Sequence, residues 1–579
     1  VFLRLLIAAA WLALAGCNSQ GPQGPGQGGE PELSADIASP EEDAPARPIP
    51  ADTLYDLLVA EMAGHQSNYE LALENYVYQA RETRDVQVTA RAAQLAQFLG
   101  ATDVVEEMAS LWLELEPKSG EAHFIYGLAL ARQGSLEQAF REMELARAYG
   151  GQVAFTAVAA ESLQHSTEQQ QALLGEIDRA LQAEPANTEL LMAKSIVQQN
   201  EDKEAALVTA RLARAAAGDD AQPIILEATL LQQMERGDEA QALLKESLEQ
   251  HPQNRRMRLL YARLLTQSDL PAAREQFEIL AQLSPDDADL IFSLGLISRE
   301  LEQFDDARRY FQQLLQMDER ESEAHYYLGL IALQEDYEPQ AVTHFKMVRP
   351  GQDFMPAMNQ LSRIMLSQGR DAELRQFFAD QRRHYPQAAT PLYILEAEML
   401  QELEQYQAAD SLLTEALSRY PDDATLLYSR ALIAEQQHDL TRAEADLRKI
   451  IAGDANNASA LNALGYILSN HTDRYTEATG LIEQALALSP DDPTVLDSMG
   501  WVKYRVGELP LALDYLQRAY DLYPDTEIAA HLGEVLWQLG RKEQALEVWR
   551  EGIARDTGHA VLLETLERFG VANQVRPPE

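Results

Sequence analysis

A residue with almost no side chain recurs along this chain at a nearly constant interval, and that recurrence restricts the fold more than any other feature. It stands at Ala60, Ala93, Gly127, Ala160, Ser195, Ala228, Ala262, Gly295, Gly329, Ser362, Ala397, Ala431, Gly465, Gly500 and Gly533, fifteen positions about 33.8 residues apart on average. Pro117, Pro185, Pro252, Pro285, Pro386, Pro421, Pro490 and Pro524 keep the same phase, and Pro350 falls about three residues off it. The clearest unit, Pro493 to Pro524, shows the physical reason. Two apolar-periodic runs, split by Gly507, are each long enough for three to four helical turns, and Pro524 ends the second. Gly500, Ala512 and Ala519 let the two helices and the next unit approach to about 8–10 Å between axes. A larger residue there would overpack by about 1–3 kcal/mol.

The order large residue, small residue, turn glycine, alanine, bulky residue, alanine, proline resembles the tetratricopeptide repeat, whose period is 34 residues. That resemblance covers about nine-tenths of the chain. It implies an all-α fold, a right-handed superhelical solenoid of about fifteen units over residues 52–556, each packing on its neighbours. A capping helix, Gly558 to Phe569, and a short tail occupy residues 557–579. Length alone, 579 residues, would suggest three or four domains, and the repeat replaces that reading with one array. Around Ala160 and Ser195 alanine-rich sequence stands at the bulky positions, so residues 150–220 are read as degenerate units and as the least stable part of the array.

Residues 1–16 carry one basic residue, Arg4, and an apolar run from Leu5 to Ala15 that is too short to span a bilayer. With Cys17 they form Leu14-Ala15-Gly16-Cys17, which resembles a bacterial lipobox. On that reading residues 1–16 are a cleaved signal peptide and Cys17 is the acylated N-terminus, with several acyl chains giving stable anchoring. Residues 17–51 contain seven prolines and five glycines without apolar periodicity, which is the composition of a disordered tether. Asn18 follows the cysteine where aspartate would hint at inner-membrane retention. The expected location is therefore the periplasmic face of the bacterial outer membrane, with the lipid anchor as the membrane contact.

Cys17 is the sole cysteine, so disulfides and cysteine-based metal sites are excluded. A net charge of −45 repels phosphate backbones and argues against nucleic acid as a partner. No H-E-x-x-H, phosphate-cradling glycine loop or G-x-S-x-G stands in the sequence. The acidic pairs Asp305-Asp306 and Asp491-Asp492 are expected at turns and helix starts, accepting backbone N–H bonds. The expectation is a chain without enzymatic activity, cofactor or metal.

What a solenoid of this kind offers is a groove lined by the first helix of each unit. In the repeat frame the lining positions hold Phe292, Arg299, Tyr326, Asn359, Arg363, Tyr428, Asn462, Tyr466, Asp497, Trp501, Tyr504 and Trp537, with Arg505 beside the last cluster. These residue types dominate binding hot spots, and they concentrate in the C-terminal half. Trp501, Tyr504 and Trp537 are expected to face the groove, and Trp112 and Trp549 to sit in the core as second-helix residues. The first helix, Asp52 to Ala63, carries Leu54, Tyr55, Leu57, Leu58 and Met62 over more than one stripe. One side can pack through Leu71 and Tyr76, and the surplus is expected to be covered either by the tether folding back or, the favoured reading, by a partner protein.

The runs NALGYILSN, LIEQALALSPDDPTVLDSMGWVKYRVG and EIAAHLGEVLWQLGRKEQAL, within residues 459–550, narrow the resemblance when taken with the lipobox and tether. They are similar to a proteobacterial family of tetratricopeptide-repeat outer-membrane lipoproteins that act as adaptors of the periplasmic C-terminal processing protease. That likeness implies binding and activation of the protease, and presentation of client proteins such as peptidoglycan hydrolases. Two other classes stand beside it. One is a scaffold for exopolysaccharide or envelope secretion, with an outer-membrane barrel as partner. The other is an enzyme within residues 150–220, for which no polar constellation is visible.

Overall fold

The computed structural model describes residues 50–575 of the chain. The signal segment, Cys17, most of the tether and Pro577–Pro578 lie outside the described residues. Those described are α-helical with one short 3-10 turn, Pro386–Ala388, and no strand. The described residues divide into two compact units, the first ending at Glu319 and the second beginning at Arg320. The described part of the first holds eight antiparallel helix pairs, from Ala51–His65 with Tyr69–Thr83 to Ala288–Glu300 with Phe304–Gln316. The second holds seven, from Glu321–Gln334 with Glu338–Met347 to Thr526–Gln538 with Lys542–Arg555, then Ala560–Arg568 and Ala572–Val575.

Helix starts follow from capping chemistry. Asn187, Asn254, Asp287, Asp423, Asn457 and Asp492 each accept a backbone N–H with the side chain at the start of a first helix. Asp492 accepts from Thr494 at 2.8 Å and Val495 at 3.4 Å. Asp305 and Asp306 differ from the expected caps. They sit inside the first turn of their helix, where Asp305 pairs with Arg308 at 2.9 Å and Asp306 with Arg274 at 2.7 Å.

The small-residue frame is a contact frame. A Cβ on Gly500 would fall 2.5 Å from Leu516 Cγ, and one on Gly533 would fall 2.2 Å from Trp549 Nε1. Both neighbours belong to the second helix of the same pair, so the glycine is what lets the pair close. Trp549 and Trp112 are buried on second helices. Ser195 takes the small position with its Oγ donating to the Ala206 carbonyl at 2.8 Å, so its hydroxyl is satisfied. At the fourth pair the frame slips: Ala160 is exposed and its neighbour Ala159 is fully buried. The cause is a late start, because the first helix there begins at Phe155 and has eight residues.

Candidate functional site

In the second unit, the helix Pro493–Arg505 places Asp497, Trp501 and Tyr504 on one face by steps of four and three. The helix Thr526–Gln538 opposes them with Glu527, His531 and Glu534, spaced by four and three in the same way. His531 donates from Nδ1 to the Asp497 carboxylate at 3.0 Å, and the Trp501 indole stacks on its ring at 4.1 Å between centroids. Tyr466, from two pairs earlier, donates to Glu527 at 2.9 Å. Tyr504 donates to Glu534 at 2.7 Å, and Arg568 of the closing helix pairs with the same carboxylate. Burial opposes a charge on His531. The adjoining Asp497 carboxylate, with Glu527 and Glu534 nearby, more than offsets this and raises its pKa above the ordinary histidine value. Burial and then the Glu534 hydrogen bond push the Tyr504 hydroxyl up to about 12.

This network corrects the expected groove. Asn462, Asp497 and Trp501 are buried, at 7, 6 and 7 % exposure, and so present no open face to a partner. The physical reason is the closeness of successive first helices, which lets Tyr466 reach across an intervening pair and His531 fill the space beside Trp501. Trp537 is half-buried, 5.8 Å from both Trp549 and Phe569, with Lys542 over its ring at 4.8 Å. Arg505 donates to the Asn470 carbonyl at 3.1 Å and the Tyr475 hydroxyl at 3.0 Å, so it braces the preceding pair. The sequence reading missed His531, Glu527, Glu534 and Arg568. The spacing of Glu527, His531 and Glu534 on one helical face was the available signal.

The remaining lining residues are more accessible. Asn359 and Arg363 are exposed, one turn apart on the helix Phe354–Ser367. Tyr326 is half-buried beside Tyr327 and Phe345, and Tyr428 is half-buried against the unit's core. In the first unit, Phe292 is half-buried with its ring 6.0 Å from that of Phe311, and Arg299 is half-buried. Two polar atoms within the buried region, Trp501 Nε1 and Asn462 Oδ1, have no protein hydrogen-bond partner.

At the start of the first unit, the helix Ala51–His65 turns Ala60 and Ala63 inward, while Leu57 packs against the adjoining core. Leu54, Tyr55, Leu58 and Met62 form an exposed ridge, at 49, 68, 54 and 61 % exposure. The orientation is fixed from the other side. Gln79 donates to Asp56 at 2.7 Å, and the Tyr76 hydroxyl donates to Glu61. Tyr76 is buried as expected of a packing residue, whereas Leu71 is exposed.

Among the described residues no group of three or more His, Cys, Asp or Glu is placed to hold a metal ion. No described helix is long and apolar enough to cross a membrane. The family model "Tetratricopeptide repeat" matches residues 225–288, 292–351, 394–458, 437–493 and 498–560. "TPR repeat-containing protein PA4667" of Pseudomonas aeruginosa is 38% identical over 484 residues, which are 83% of this chain and 82% of that protein. "Bacteriophage adsorption protein A" of Escherichia coli is 29% identical over 109 residues, 19% of this chain and 11% of that one. Among solved structures, yeast Tom70 aligns at 15% identity over 89% of this chain and 99% of its own, with a TM-score of 0.30. The repeat spacing, the closed helix pairs and the match over four-fifths of a relative agree, and the chain belongs to the tetratricopeptide-repeat family.

Proposed function

We propose that the chain is a non-enzymatic adaptor, tethered to the periplasmic face of the outer membrane through acylated Cys17. In this reading it binds and activates a C-terminal processing protease, in the manner of LbcA with CtpA, and presents clients such as peptidoglycan hydrolases. The observation that carries the reading is the ridge Leu54, Tyr55, Leu58 and Met62, exposed on the outermost described helix while Asp56 and Glu61 hold its opposite side. An end unit of a repeat array normally turns a polar face to water. An apolar ridge with residues spaced by four instead suits a partner's groove. Leu57 supports the ridge from beneath. The protease takes this ridge, and clients take the first-helix surface around Tyr326, Asn359, Arg363 and Tyr428.

The test deletes residues 52–63 from the full chain and measures association with the purified protease and with a cell-wall hydrolase separately. Loss of protease association with client association retained is expected. Undiminished protease binding by the folded deletion variant sinks the assignment. Replacing Cys17 with serine should release the chain from washed membranes, and retention there overturns the anchor. Recovery from native membranes of an outer-membrane barrel without a protease would favour the secretion-scaffold reading instead.

A further inference from the structure

Where one helix pair of the second unit meets the next, two metal-ligating side chains already converge. Glu435 stands in the last turn of the helix Ala424–Gln436, and His471 ends the helix Ala458–His471, the first helix of the following pair. His471 Nε2 and Glu435 Oε1 lie 3.0 Å apart, with side-chain exposures of 25 and 18 %, so the contact is sheltered yet reachable from solvent. Two donors bound to one ion at about 2.0–2.2 Å stand about 3 Å from each other. The hydrogen bond between these two residues therefore has the dimensions of a shared metal position.

A third ligand follows three residues after Glu435. His438 is exposed, and its ring centroid is 6.5 Å from that of His471. Its backbone is fixed: the His438 N–H donates to the Glu435 carbonyl at 2.8 Å, and the Asp439 N–H to the Ala434 carbonyl at 2.8 Å. As the side chains stand only two donors converge, and no group of three is placed to hold an ion. Two imidazoles on one ion have ring centroids about 5–6 Å apart. The rings of His438 and His471 are close to that separation, and turning the exposed one about its side-chain bonds brings its nitrogen to the ion.

Two imidazoles and one carboxylate suit zinc and its first-row neighbours, whereas magnesium and calcium take oxygen ligands. Glu435 and His471 both sit at helix C-termini, where the backbone favours a cation, in a chain of net charge −45. The other close histidine pair offers no such position. His325 and His344 have Nδ1 atoms 3.0 Å apart and ring centroids 5.3 Å apart. That centroid separation is the nitrogen distance extended by the radius of each ring, so the two nitrogens point straight at each other. This is the geometry of an N–H···N hydrogen bond, with no common point for an ion.

We propose that Glu435, His438 and His471 bind a divalent transition-metal ion of the zinc class, which ties two consecutive helix pairs together. The ion takes the Nε2 lone pair of His471, whose ring proton then sits on Nδ1, and water completes the coordination. The inference is independent of the protease-adaptor reading.

The test uses the full chain without an affinity tag, stripped of metal with a chelator and titrated calorimetrically with Zn2+. A single ion per chain is expected, with Mg2+ giving no binding. His438→Ala, at an exposed position, should weaken Zn2+ by at least the roughly tenfold that loss of an outer-shell partner costs, and His471→Ala should abolish binding. His65→Ala, at another exposed histidine, leaves it unchanged. On the unaltered chain, the electron paramagnetic resonance spectrum of bound Cu2+ should show two imidazole nitrogens, a measurement independent of any variant's folding. The proposal is overturned if Zn2+ binds His438→Ala as tightly as the unaltered chain, or if the Cu2+ spectrum shows one nitrogen or none. It is also overturned if His325→Ala rather than His438→Ala removes the ion, since the ion would then sit at the other histidine pair.

Discussion

The two units are built on one repeat frame but have different interiors. In the second, most buried side chains from Ala332 to Val502 join in one large hydrophobic cluster, with Phe345, Phe354, Phe378 and Tyr393 among them, and the end of the unit from Ala512 to Val575 forms another. In the first, the buried residues fall into smaller separate clusters: from Ala60 to Ala129, from Leu130 to Val197, from Ala206 to Leu264, and from Ala262 to Ile297. Many of the fully buried residues flanking the slip are alanines, including Ala159, Ala193, Ala206, Ala210 and Ala213. Each methylene absent from an interface withholds about 0.8 kcal/mol of burial. Stability in an array is close to a sum of units and neighbour contacts. A regular helix spacing therefore fixes the fold of both units, while the size of the interface side chains sets how strongly neighbours are coupled.

The largest expected effect belongs to the second unit. Asp497→Ala leaves His531 without its carboxylate in a buried site, and breaking such a pair costs about 3–5 kcal/mol. Denaturant unfolding followed by tryptophan fluorescence should show that loss, with amide protection in the first unit unchanged. A loss below about 1 kcal/mol would mean that the pair contributes little and that the interior of the second unit is more tolerant than argued.

Next comes a matched substitution across the comparison. Gly533→Leu drives a side chain into Trp549 and should cost about 1–3 kcal/mol or more. Ala160→Leu occupies an exposed position and should stay within about 0.5 kcal/mol. Equal melting-temperature shifts in the two variants would erase the distinction between a closed frame and a slipped one.

Amide exchange separates the units without mutation. Residues 150–220 should exchange fastest among the helix pairs because the frame slips there and alanines fill many of the buried positions. Uniform protection from the second pair to the fifteenth would refute the comparison as drawn.

The smallest effects are those of pH, and they carry opposite signs within the second unit. The raised pKa of His531 contributes stability that is full below the unfolded value of about 6.5 and is lost as pH rises through the folded value. His325 and His344 face each other at 3.0 Å between Nδ1 atoms. Burial lowers both, and burial with the His325 charge takes His344 down to about 4. Their contribution is full above about 6.5 and is lost as pH falls from there toward about 4. His531→Asn should remove the alkaline limb alone, and His344→Asn the acid limb alone, in melting temperature against pH.

By itself the sequence determined the repeat. Glycine and alanine at about 34-residue spacing mark where two helices must touch, and a contact that excludes side chains leaves a direct trace in residue type. Gly507, with φ +85°, was legible as a turn for the same reason, whereas Glu404, at φ +57° in the equivalent turn, left no such trace. The outward ridge of Leu54, Tyr55, Leu58 and Met62 was legible too, since an end helix with apolar residues on more than one stripe has too few neighbours to cover them. Burial of Trp501, Asp497 and Asn462 was decided by tertiary structure alone. Whether a first-helix residue faces a groove or a neighbouring helix depends on how closely successive helices approach. That distance is set by partners far away in sequence, such as Tyr466 with Glu527 and Trp501 with His531. The contact of Gly120 with Gly151 has the same origin: two glycines read separately are ordinary, and only the fold brings their backbones together.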